Sequence, residues 1–139
     1  MPGKVCGNEY RTTMICIDSY DQSILCGRLI NPYLSGSVPF EGLMQLLLRM
    51  EDLLDRMNFP QPFARTRSFA PMASQELSVQ PENGQQGKLA TFAVKVLFRQ
   101  NASWQGSVTW LESGREESFR SVLELALLMH SALTGGQNP

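Results

Sequence analysis

The feature that most constrains this chain is a gapless internal repeat. Sliding residues 12–54 forward by 79 positions brings Thr12 onto Thr91, Gly27 onto Gly106 and Phe40 onto Phe119. Leu46, Leu48, Met50 and Leu54 then meet Leu125, Leu127, Met129 and Leu133, giving seven identities in 43 positions. Conservative pairs fall between them: Ile15 with Val94, Ile17 with Val96, Leu29 with Val108 and Leu43 with Val122. A unit present in only two copies folds as one pseudo-symmetric domain, because a solenoid needs more copies to bury its core.

Each copy reads as two strands and a helix. In the first, TTMICID at residues 12–18 and the run from Ile24 to Ile30 are β-branched and apolar. The polar residues Ser19, Tyr20, Asp21 and Gln22 between them predict a hairpin. Asn31-Pro32 ends the second run, since proline has no N–H for a ladder. After a loop at Ser35, Gly36 and Ser37, Pro39 suits the first turn of a helix. Phe40, Leu43, Leu47, Met50, Leu54 and Met57 supply its stripe, and Asn58-Phe59-Pro60 stops it. In the second copy Phe92, Val94, Val96 and Phe98 alternate with Ala93, Lys95, Leu97 and Arg99. Trp104, Gly106, Val108 and Trp110 alternate likewise, and this parity points both tryptophans toward the core. Glu116 and Glu117 suit the positive end of a second helix, with Phe119, Val122, Ala126, Met129 and Leu133 as its stripe.

The expected architecture is α+β: an antiparallel sheet of about four to five strands with two helices on one face, in the order ββα-(β)-ββα. It forms a single domain over residues 1–139. Repeat 1 spans about 11–58 and repeat 2 about 89–134, with frayed tails at 1–10 and 135–139. The connection at 59–88 holds a candidate strand, FARTRSF at residues 63–69. Both helices are apolar beyond one stripe, through Met44, Leu46, Leu48 and Leu53 in the first and Leu123, Leu125, Leu127 and Leu128 in the second. Such a helix is covered on more than one side, by the other helix or by a second copy of the chain.

The chemistry-bearing residues form no catalytic set. His130 is the only histidine, and no nucleophile or orienting group accompanies it in sequence. Glu51, Asp52 and Asp55 belong to a solvated helix face, and Glu112, Glu116 and Glu117 surround a helix start. Ser35-Gly36-Ser37 and Ser113-Gly114-Arg115 lack the pattern of a phosphate-cradling loop. Cys6, Cys16 and Cys26 fit neither a disulfide framework nor a zinc site, so no metal or cofactor is expected. A net charge of −1 exerts no general pull on nucleic acid or membrane. The most suggestive set is Arg65, Arg67, Arg99 and Arg28 with Phe63 and Phe69. On an open sheet face these would stack bases and hold phosphates.

VLFRQNASWQGSVTW with ESFRSVLEL, and ICIDSYDQSILCGRLINPYL with LMQLLLRMEDLLDRMNFP, resemble a family of short uncharacterised bacterial proteins. The resemblance implies a compact single domain and no particular activity. The expected role is therefore a non-enzymatic protein-interaction or assembly module, a homodimer or the binder of another protein. The alternative is single-stranded nucleic-acid or nucleotide binding through the arginine and aromatic face. The chain shows no apolar run of signal-peptide or bilayer-spanning length, which predicts a cytoplasmic location without membrane contact.

Overall fold

A computed structural model describes residues 11–34, 36–57, 69, 86–99 and 103–135. It is α+β: one antiparallel six-stranded sheet and two helices. The elements are β1 (Thr12–Asp21), β2 (Ile24–Ile30), β3 (Ser37–Glu41), α1 (Gly42–Met57), β4 (Ala90–Phe98), β5 (Gln105–Trp110), β6 (Arg115–Phe119) and α2 (Val122–Thr134). The sheet order is β3-β2-β1-β4-β5-β6, so the halves join through β1 and β4. Among the described residues no helix is long and apolar enough to cross a membrane. The 63–69 strand expectation lies outside the described residues except for Phe69, which is exposed.

Each half holds three strands and a helix, which corrects the expected ββα unit and the strand count. Ser37–Glu41 and Arg115–Phe119 are edge strands, not helix starts. Pro39 sits in β3 opposite Arg28. An edge strand tolerates a proline, and its missing N–H blunts the edge against further pairing. Glu116 and Glu117 protect the other edge by charge rather than serving a helix dipole.

The two halves carry the same pairings at the 79-residue interval. Ile17 opposes Gly27 as Val96 opposes Gly106. Gly27 opposes Phe40 as Gly106 opposes Phe119. The ladder between the first two strands slips between Ile17 and Ser19, and again between Val96 and Phe98. Met14 and Ala93, themselves 79 apart, are cross-strand partners, so the local two-fold axis passes between them.

These slips explain the repeated glycines. A Cβ on Gly27 would lie 1.8 Å from the Cys16 carbonyl oxygen, and one on Gly106 would lie 1.8 Å from that of Lys95. A bulge adds twist and draws the backbones together, and only glycine fits beneath it. The neighbouring rings of Phe40 and Phe119 are buried beside them.

The core lies between the sheet and the helices. Ile15, Ile17, Leu29, Phe92, Val94, Val96 and Val108 meet Leu46, Met50, Leu53, Leu54 and Met57 of α1 and Leu125 and Met129 of α2. The stripes are rotated from those expected. Leu43 is exposed, while Leu46 and Leu53 are buried, because α1 starts after β3 and not within it. The first hairpin turns at Gln22 and Ser23, both with positive φ (54° and 62°). That is the two-residue turn whose twist matches the strands, built here without glycine.

Both helices are entered by the same bond. The Glu41 N–H donates to Gln45 Oε1 at 2.9 Å, and 79 positions on the Arg120 N–H donates to Glu124 Oε1 at 2.8 Å. In α2 the N-cap Ser121 also accepts from the Glu124 N–H. A side chain four residues on thus satisfies an N–H at the helix entry.

Candidate functional site

The predicted arginine and aromatic face is not assembled among the described residues. Arg65, Arg67 and Phe63 lie outside them. Arg28 lies on the sheet face away from the helices and grips Asp18 through Nη1 at 2.9 and 3.0 Å. It also donates to the Gln86 carbonyl, and the Lys88 N–H donates to Asp18. This pair anchors the chain where it re-enters the sheet. Arg99 stands on the helix side, 2% exposed, and donates to Glu51 at 3.1 Å and Asp55 at 2.8 Å. Glu51 also accepts from the buried Trp104 indole at 2.8 Å. The acids expected to form a solvated face of α1 therefore hold β4 and the residue that leads into β5.

The repeat relates this contact to another. Tyr20 and His130 stand 79 positions from Arg99 and Glu51, and the Tyr20 hydroxyl lies 2.5 Å from His130 Nδ1. In each half the end of the first strand reaches the helix of the other half. One link is ionic and mostly buried on the arginine side; the other is a hydrogen bond at the surface.

Met44, Leu48, Glu51 and Asp55 follow at steps of four, three and four, which sets them on one stripe of α1. Leu123, Leu127, His130 and Thr134 occupy the same stripe of α2. Glu51, Asp55 and His130, later in these stripes, make the cross-half links. The earlier ones are apolar and open to solvent: Met44 70%, Leu48 37%, Leu123 66% and Leu127 55% exposed. Sequence reasoning found these leucines, but period alone did not say which side of each helix the sheet would cover.

A third feature breaks the symmetry. Between α2 and the β5–β6 edge lies a cleft of about 250 Å³, walled by Phe92, Val108, Leu128 and Ala132 and bordered by Arg115 and Glu117. Trp110 also lines it, and its indole N–H is buried with no acceptor among the described residues. Leaving such a donor unpaired costs about 1–3 kcal/mol. In the first half the same positions are filled. Leu53 stands for Ala132 and Val38 for Glu117, each 1% exposed or less. Asn31 stands for Trp110 and donates to Thr13 Oγ1 at 2.9 Å. The sequence signal was available: Val38 against Glu117 and Leu53 against Ala132 are departures from the repeat at core positions.

At the α2 entrance, hydrogen bonds from the Arg120 side chain and backbone hold the Glu124 carboxyl below its ordinary range. No protein-family model, curated protein or solved structure matches the chain.

Proposed function

We propose that this chain is a non-enzymatic assembly module that pairs with a second copy of itself through the exposed apolar stripes of its two helices. The observation that carries this reading is the recurrence of exposed apolar residues at equivalent positions, Met44 and Leu48 on α1 and Leu123 and Leu127 on α2. A chain that keeps charges elsewhere on its helices has no folding reason to expose two large apolar side chains at equivalent positions of both helices. Exposed apolar side chains grouped in this way suit an interaction site. A surface that is itself two-fold repeated suits an isologous contact, in which the same patch serves both partners. The repeat itself is best read as an internal duplication of one βββα unit, with Gly27 and Gly106 as its least replaceable positions.

Nucleic-acid binding is the weaker reading. It draws on Arg65, Arg67, Arg99 and Arg28 with Phe63 and Phe69, and of these Arg28 and Arg99 already face Asp18, Glu51 and Asp55. Sedimentation velocity at two concentrations tests the assembly. A dimer that the Met44→Glu, Leu127→Glu variant converts to a folded monomer is the expected result. A wild-type monomer at high concentration overturns the reading.

A further inference from the structure

We propose that the cleft between α2 and the β5–β6 edge binds a free α-amino acid with an apolar side chain. Three departures from the repeat converge there. Ala132 replaces the buried leucine that fills this place in the first half, so side-chain volume is missing from a well-packed position. Trp110 replaces the satisfied Asn31 and brings a buried indole N–H without an acceptor. Glu117 replaces the buried Val38, setting a carboxylate on the strand face that the first half keeps apolar.

The chemistry of the lining defines the ligand. Arg115 and Glu117 point to the same side of β6, and their Cα atoms are about 7 Å apart at strand spacing. They form no ion pair with each other or with another described residue. Opposite charges at that distance accept a zwitterion between them, its carboxylate on the Arg115 guanidinium and its ammonium on Glu117. The Trp110 side chain forms part of the wall beside this charged pair. Phe92, Val108, Leu128 and Ala132 are left to cover an apolar side chain. A volume of about 250 Å³ falls below that of pockets for drug-sized ligands and suits a single small metabolite.

The test uses the full chain and follows the Trp110 indole N–H by NMR during titration with L-leucine and L-phenylalanine. The expected result is a saturable shift of that resonance with one or both. N-acetyl-leucine, which lacks the ammonium, and leucinamide, which lacks the carboxylate, should each bind at least tenfold more weakly. Ala132→Leu should abolish the shift by restoring the plug present in the first half. The exposed substitution Glu117→Gln should weaken binding at least tenfold while leaving the fold intact, which keeps the test valid if Ala132→Leu misfolds. Absence of any shift at millimolar amino acid, or equal binding of N-acetyl-leucine, overturns the proposal. So does unchanged binding in Glu117→Gln.

Discussion

At the residue scale, two glycines and one cap carry the most specific expectations. A methyl group at Gly27 or Gly106 meets a backbone carbonyl, and a backbone atom cannot step aside as a flexible side chain can. Gly27→Ala and Gly106→Ala should each destabilise the protein by about 3 kcal/mol or more, against about 1 kcal/mol for an average substitution. Urea unfolding measures this, and near-wild-type stability in either variant would contradict the bulge geometry. Ser121→Ala should remove one capping bond of α2 and cost about 1 kcal/mol. Glu124 adds a pH dependence. Its folded pKa is depressed, so its contribution is present above the unfolded pKa and is lost as pH falls through the folded one. Glu124→Gln should lower the Tm at neutral pH and lose that difference in acid. The effect should be small, because solvent screens this surface pair and Gln45 makes the same backbone bond in the first half.

At the element scale, sequence pattern and structure part at two five-residue segments. SVPFE and REESF carry helix-entry residues, and local reading assigned them to the loops and first turns that lead into helices. They are strands because β2 and β5 each present an open edge directly before them in the chain. Five residues hold too little intrinsic preference to resist a ladder of backbone hydrogen bonds. The long elements behaved differently. Alternation over Ala90–Phe98 placed Phe92, Val94 and Val96 on the buried face, and both tryptophans follow the parity read from sequence. The helix ends were legible too, since Gly135 follows α2 directly. Arg99 shows what alternation alone could not give. It was read as part of an open face, yet it is buried against two carboxylates of α1. The double variant Glu51→Gln, Asp55→Asn should destabilise the protein by about 1–2 kcal/mol, because it strips partners from a buried charge while solvent screens the exposed acids. A thermal melt unchanged from wild type would mean that the link between β4 and α1 contributes nothing.

At the scale of the whole molecule, the two halves share register, bulge, glycine, cap and outer stripe, and differ where chemistry enters. The cross-half links at Tyr20–His130 and Arg99–Glu51 tie each helix to the opposite strand, and β1 pairs with β4, so a half by itself loses these links and leaves the β1 edge open. Residues 11–58 expressed alone should therefore stay largely unfolded or associate, as circular dichroism and light scattering would report. A stable folded monomer would show that one half suffices. By itself the sequence determined the repeat interval, the long strands, the antiparallel character of the sheet and the identity of most core residues. These depend on periodicities of two and 3.6 that act along the chain. The tertiary structure alone decided the third strand of each half, the side of each helix left bare and the partners of Arg99. It also decided the opening of the cleft beneath Ala132. Each of those depends on groups distant in sequence meeting across the sheet, and a local pattern carries no record of them.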